Sequence, residues 1–495
     1  MSCEELQLLV DYEAKCYYIS VNGNCVSNGY IDYLYLFYCC FGRFPFLGYF
    51  LLSVWIFALF YMLGDTASKY FCSCLESLSK LLKLSPTIAG VTLLSLGNGA
   101  PDVFSSIVSF TGGGTSAVGF NTVLGGASVV TCVVAGVVSI LVRGRDIHLD
   151  KAAFVRNNSF YFFVVAILLV IFLVGKINIW GAISFWLTYA IYVLIVYFWN
   201  TESQDDEDCI LNSNDNLVPL LQALENGMDV VEIEKGGTFI KLCKGAVFFL
   251  EMIISIPRRF TIPSISEVRW SKFYFVSSMF LAPNFLATLW LLQTKGSKFA
   301  VILVHGFGVI LGATLGVLAY KTSSTTSPPR KYSFLCLCMG FIMSMTWSYI
   351  LAEELLGLLL STGYIVGISP SVLGFTVMAW GNSIGDLITN STMALKGGSR
   401  GAQIAISGCF AGPIFNIVFG LGLSMICVSF KEYPYALSIP WDPYLVETLG
   451  FLAGSLLWAG LLLLCRNGKL DALLGGGLIA IYFSSLALRL YSQYG

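Results

Sequence analysis

Two aspartates stand inside apolar runs, in segments of the chain that copy one another. Residues 84–110 read LSPTIAGVTLLSLGNGAPDVFSSIVSF, and residues 368–394 read ISPSVLGFTVMAWGNSIGDLITNSTMA. At a constant offset of 284 the identities are Ser85/Ser369, Pro86/Pro370, Gly90/Gly374, Thr92/Thr376, Gly97/Gly381, Asn98/Asn382 and Asp102/Asp386. An ionised Asp at a bilayer centre costs roughly 2.5–3.5 kcal/mol even on the lenient insertion scale. No Lys or Arg falls near the middle of a predicted span, so a buried ion pair does not account for either residue. Two carboxylates accompanied by amide and hydroxyl oxygens suit a cation.

The spacing suggests how each segment would hold it. Asn98 and Asp102 are four apart and share one face of a helix. Pro101 lacks an amide hydrogen and crowds the carbonyl of Gly97, while Gly97 and Gly99 lower the cost of unwinding. The expectation is a broken helix offering a carboxylate, an amide oxygen and bare carbonyls. Calcium takes six to eight oxygen ligands, and this segment supplies about half of them. The second copy, GNSIGD at 381–386, adds Asn382, Ser383 and Asp386. There Gly385 replaces the proline, so the expected break rests on Gly381 and Gly385, and the half-sites are not equivalent. One span further on, GASVVT at 126–131 aligns with AGPIFN at 411–416, setting Thr131 opposite Asn416. Either residue completes the ligand shell or makes an ordinary interhelical hydrogen bond.

The elements that must carry these residues are membrane helices. Of the 495 residues, 56% are apolar and 12% charged, and mean hydropathy is +0.77; soluble domains carry about 25% charged residues. Runs long enough to span a bilayer recur about twelve times, and the alternation of a β-barrel is absent. The expected fold is all-α and polytopic. An external segment covers 1–43 and a first five-helix repeat 46–199. An internal hydrophilic loop at 200–272 and an extra helix pair at 273–320 precede a second five-helix repeat at 334–490. Five spans is an odd number, so the two repeats would be inverted, the arrangement of secondary transporters whose site forms where repeats meet. Most of the 28 Lys and Arg fall in the loops this topology places inside, which by the positive-inside rule sets both termini outside.

Other residues narrow the reading. There is no Walker lysine loop, no soluble domain for an ATP-driven pump and no Ser/His/Asp constellation, so neither an enzyme nor a nucleic-acid partner is expected. No cofactor is expected either, beyond transported ions. Most of the 15 cysteines read as small packers, but Cys16 and Cys25 precede the first span and could form a disulfide in an oxidising compartment. The 200–272 loop reads as a solvated linker or a regulatory element. It opens with acids at Asp205, Asp206, Glu207 and Asp208, and carries Arg258-Arg-Phe-Thr261, a pattern that makes Thr261 a candidate phosphosite. Glu353, Glu354 and Glu447 stand near span ends, as expected for a solvated vestibule.

At the paired motifs the chain resembles the calcium/cation antiporter superfamily, whose repeats carry a G-[TN]-x-x-x-[DE] core. GNGAPD and GNSIGD look like its mitochondrial sodium/calcium exchanger branch. The likeness extends to the C-x8-C at Cys16 and Cys25, to SNGYIDYL at 27–34 and to both five-helix halves. It implies that Asn98, Asp102, Asn382, Ser383, Asp386 and Asn416 bind calcium and sodium alternately. Asn416 stands where several relatives have Asp, so two carboxylates would serve. The implied activity is secondary antiport of calcium for sodium, with lithium as a further candidate ion, by alternating access. A calcium/proton exchanger is the alternative, and a calcium-permeable channel a more distant one. The resemblance points to the mitochondrial inner membrane, with the plasma membrane or an endomembrane as alternatives.

Overall fold

A computed structural model of the chain describes residues 11–21, 29–72, 95–111, 116–143, 149–201, 255–264, 270–293, 298–325, 332–368, 370–396, 398–439 and 441–494, with residues 9, 74, 147 and 327–329. Nearly all of them are helical, because in lipid a backbone must satisfy its own hydrogen bonds. A short helix α1 (Tyr12–Val21) precedes α2 (Pro45–Thr66) and α3 (Ser95–Thr111). Helix α4 runs from Ser116–Ser128 through a π-helical stretch, Val129–Val134, into Ala135–Leu141. Next come α5 (Lys151–Val174), α6 (Ile179–Thr201), α7 (Lys272–Gln293), α8 (Lys298–Thr322) and α9 (Ser333–Val366). Helix α10 joins Pro370–Leu373 to Ala379–Lys396 through the π-helical stretch Gly374–Met378. Helix α11 joins Gly398–Ile414 to Gly422–Glu432 through another, Phe415–Leu421, before α12 (Pro443–Cys465) and α13 (Ala472–Tyr494).

Ten of the described helices, α2, α4 to α9 and α11 to α13, are long and apolar enough to cross a membrane. Helix α3, described over 17 residues, and α10, in which Asn382, Ser383, Asp386 and Asn390 lower the hydropathy, fall outside that set. The helices fall into two compact units. One comprises 1–64, 98–206 and 349–495; the other comprises 65–97 and 207–348.

The first unit holds both motif helices from residue 98 onward. Its elements start and stop where local chemistry dictates. Asp150 caps α5 by accepting from the Ala152 amide at 2.9 Å, and Gly175, at φ +67°, ends it in the left-handed region that glycine enters freely. Asp442 caps α12, accepting from the Tyr444 amide at 3.0 Å. A two-residue antiparallel ribbon of β1 (Lys176–Ile177) and β2 (Leu437–Ser438) ties the α5–α6 turn to the α11–α12 turn. Helix α4 lies so close to the entrance of α10 that a Cβ on Gly125 would stand 2.9 Å from both Ala379 Cβ and Phe375 Cα. Arg489 of α13 is fully buried. It donates to Asn121 Oδ1 of α4 at 2.9 Å and to Tyr444 O of α12 at 2.7 Å, with Phe375 beneath its guanidinium at 4.0 Å.

The segment before α2 is attached differently from the sequence expectation. Cys16 forms its disulfide with Cys39, while Cys25 lies outside the described residues. Glu354 is buried rather than solvated. It accepts from the Tyr30 amide at 2.6 Å and from the Tyr33 hydroxyl, and Glu353 accepts from the Tyr30 hydroxyl at 3.2 Å. The adjacent acids are therefore a docking point for residues 29–34, because two phenols and an amide replace the water that a vestibule would have supplied.

In the second unit α7 and α8 form a hairpin in which Gly308 and Gly312 of α8 leave room for the Phe280–Asn284 turn of α7, the close approach that small residues allow. Residues 255–261 form a short helix whose Arg258 is buried against Asp65, at 2.9 Å, and the Thr66 hydroxyl, at 2.8 Å. Thr261 is buried too: it donates to Pro257 O at 2.7 Å and accepts from Trp347 Nε1 at 2.7 Å. That overturns the phosphosite expectation, since the hydroxyl is packed and bonded rather than presented. The acidic run at 205–208 lies outside the described residues.

Candidate functional site

Both motif helices are continuous across the positions expected to break them. Helix α3 carries Gly97, Gly99 and Pro101 within one helix, and α10 runs unbroken through Gly381 and Gly385. Proline is tolerated in a membrane helix when neighbours re-satisfy the freed groups, and Pro101, in the second turn of the described helix, removes one amide only. The irregular backbone sits elsewhere. It is the π-helical stretch Gly374–Met378, one turn ahead of the second motif, and the stretches in α4 and α11 that include Thr131 and Asn416. Such insertions often mark functional sites, and no spacing rule in the sequence announced them.

The glycines act through space rather than through flexibility. A Cβ on Gly99 would collide with Asn416 Oδ1, and one on Gly381 with the Phe60 ring of α2. A Cβ on Gly126 of α4 would meet Asp102 Oδ1 at 3.5 Å. Gly385 is the exception, with nothing within 4 Å of its Cβ position.

Around this close packing three helices bring their polar groups together. Asp102 is 4% exposed and Asn416 5%; the Asn416 amide of α11 donates to Asp102 Oδ2 at 2.5 Å. Asn382 of α10 donates from Nδ2 to Ser105 Oγ of α3 at 3.3 Å. What these bonds leave over is informative. Asp102 Oδ1, Asn382 Oδ1, Ser383 Oγ and Asn416 Oδ1 are all buried without a hydrogen-bond partner. Burying an unpaired polar oxygen costs about 1–3 kcal/mol; those of Asp102 and Asn416, joined by their hydrogen bond, and of Asn382, bonded to Ser105 one turn beyond Asp102, form an acceptor set for a hard cation. Asp386, half-buried on α10, is four residues beyond Asn382 and shares its face. Among the described residues the ion pairs are Asp65 with Lys69 and Arg258, and Arg466 with Asp471; neither motif aspartate takes part in one.

The structure does not gather every expected residue. Asn98 lies in α3, but its side chain is outside the described set. The Thr131 hydroxyl donates to the Tyr161 hydroxyl of α5 at 3.3 Å, which is the interhelical bond rather than the ligand role. No cluster of three His, Cys, Asp or Glu ligands occurs among the described residues. The acceptor set instead combines carboxylates with amide and hydroxyl oxygens. Ser105 and Gly126 belong to this neighbourhood and were not singled out from sequence. Ser105 was within reach of that reading, since it lies one turn from Asp102 on the same face.

The family described as sodium/calcium exchanger protein matches residues 52–198 and 336–491. Cation/calcium exchanger 2 of Arabidopsis thaliana is 46% identical over 100% of this chain and 91% of its own length. Cation/calcium exchanger 1 of the same plant is 45% identical over 99% and 89%. The mitochondrial sodium/calcium exchanger protein of Mus musculus is 30% identical over 97% and 88%.

Proposed function

We infer that this chain, which belongs to the sodium/calcium exchanger protein family, is a multi-pass secondary antiporter that exchanges calcium for sodium by alternating access. Four buried oxygens without donors, on Asp102, Asn382, Ser383 and Asn416, are the observation that carries the reading. A desolvated cation replaces its hydration shell with such oxygens, and a divalent ion gains most from two carboxylates. Asp102 and Asp386 together balance one calcium, and the same two charges balance the sodium ions that replace it. Asn416, a neutral donor to Asp102, fixes the carboxylate without adding a third charge. Asn98, which matches Asn382 in the paired motif, is a further ligand by that sequence match. Two inverted five-helix halves that rock around this site would expose it to each side in turn.

The test is calcium flux in proteoliposomes under imposed sodium, lithium and pH gradients. Calcium movement driven by an opposing sodium gradient supports the reading. Movement driven only by a pH gradient points to calcium/proton exchange, and flux without counter-transport points to a channel. For compartment, relatives at 45–46% identity and one at 31% bear names without an organelle, while those named mitochondrial are 27–30% identical. The Cys16–Cys39 bridge favours an N-terminal segment facing an oxidising space, as in the plasma membrane or an endomembrane. A tagged protein imaged against organelle markers decides between them.

A further inference from the structure

Three serines follow Asp102 along α3, and all are fully buried. Two are committed away from the oxygen cluster. Ser106 exchanges a 2.8 Å hydrogen bond with Ser424 of α11, and Ser109 donates to Ser105 O at 2.7 Å. Ser105 alone meets the second motif, its hydroxyl oxygen accepting from Asn382 Nδ2 at 3.3 Å. Asn382 Oδ1 is left buried and unpartnered.

We propose that Ser105 is a positioning residue for the cation site: by holding the Asn382 NH2 group it keeps the Asn382 carbonyl oxygen, rather than the NH2, available to the ion. The chemistry of the amide makes this necessary. Rotating a carboxamide by half a turn exchanges an acceptor for a donor in nearly the same volume. The acceptor end attracts a cation and the NH2 end repels it. Asp102 and Asp386 need no such control, because a carboxylate offers oxygen in either orientation. Asn416 has its own anchor in Asp102 Oδ2, whereas Asn382 has Ser105, with Asp102 as a further acceptor for its NH2 group. A hydroxyl that touches no ion therefore sets which end of a ligand the ion meets. Partners that orient metal ligands typically contribute 10–100-fold in affinity.

This inference rests on the calcium-site reading above, and one experiment separates the two. Equilibrium calcium binding is measured on the purified full chain in detergent for wild type, Ser105→Ala, the near-isosteric Ser105→Cys, Asn382→Asp and Ser105→Ala/Asn382→Asp. Ser105→Ala is expected to weaken calcium binding about tenfold. Ser105→Cys, which keeps the packing but offers a weak acceptor, is expected to lose several-fold. In the Asn382→Asp background, where residue 382 presents oxygen either way, Ser105→Ala is expected to change affinity less than about twofold. An unchanged affinity in either Ser105 single variant overturns the proposal. So does a tenfold loss that persists in the Asn382→Asp background, which would mark Ser105 as a packing residue. A wild-type chain that binds no calcium sinks the site reading itself.

Discussion

The Asn416 amide hydrogen-bonds Asp102 Oδ2 at 2.5 Å across 314 positions of the chain. The two helices approach this closely because residue 99 has no side chain to obstruct Asn416 Oδ1. Gly99→Ala should therefore push Asn416 off Asp102. The substitution raises helix propensity by up to about 1 kcal/mol, so any loss reports on the site rather than on the helix. Calcium affinity should fall more than about tenfold, as expected when a charge-assisted hydrogen bond worth about 1.5–3 kcal/mol is broken. Gly385→Ala is the matched control. Its Cβ meets nothing within 4 Å, and transport should stay within about twofold of wild type. Equal damage from both would mean that glycine flexibility, not close approach, is what the motifs need.

The carboxylates themselves give the second prediction. Asp102→Asn and Asp386→Asn each remove one of the two charges that would balance calcium, while conserving shape. Removing one partner of a buried ion pair costs about 3–5 kcal/mol, so each variant should lose at least about a hundredfold in exchange rate. Both should insert and purify as wild type does. Proteoliposome flux, normalised to reconstituted protein, checks this. Exchange surviving in the double variant would place the site elsewhere.

The paired motif was legible because a buried aspartate is rare in lipid and two in the same local sequence are rarer. The helical membrane class was legible for a similar reason, since apolar length is a property of composition. What the sequence concealed depends on contacts between distant residues. Glu353-Glu354 looks like a wet vestibule until Tyr30 and Tyr33, more than 320 positions away, are brought to it. Five of the cysteines precede the first span, and spacing alone does not say that Cys16 closes on Cys39. Pro101 suggested a broken helix by a local rule, yet the surrounding helices keep the backbone regular. Arg258-Arg-Phe-Thr261 matched a surface motif, but its first and last residues are buried in a helix end.

That helix end supports a prediction about stability. Arg258 is 1% exposed and Asp65 7%, and they meet at 2.9 Å. Truncating the arginine leaves Asp65 with only Lys69, which is itself 23% exposed. Arg258→Ala should therefore destabilise the protein by about 3–5 kcal/mol, seen as a lowered midpoint of thermal unfolding in detergent. Thr261→Val removes the acceptor of Trp347 Nε1 and should cost about 1–3 kcal/mol. In the folded protein a basophilic kinase should leave Thr261 unmodified, which mass spectrometry of the treated, intact chain would establish.

The docked N-terminal segment carries the pH dependence. Burial, the largest cause, raises both phenols above their ordinary value near 10, with Glu353 adding to it at Tyr30 and the Glu354 hydrogen bond at Tyr33. A phenol whose folded-state pKa is raised contributes stability that is fully present below its unfolded value and lost as pH climbs through the folded one. Attachment of residues 29–40 should accordingly be constant from about pH 6 to 9 and should loosen only in stronger alkali, beyond about pH 10. Hydrogen exchange over this segment measures it. Tyr33→Phe removes the donor to a buried carboxylate and should cost about 1–3 kcal/mol of local protection at every pH in that window, with Trp55, which donates to the same hydroxyl at 2.9 Å, losing its acceptor too. Protection that falls between pH 6 and 9 would mean that a carboxylic acid, not the phenols, governs the attachment.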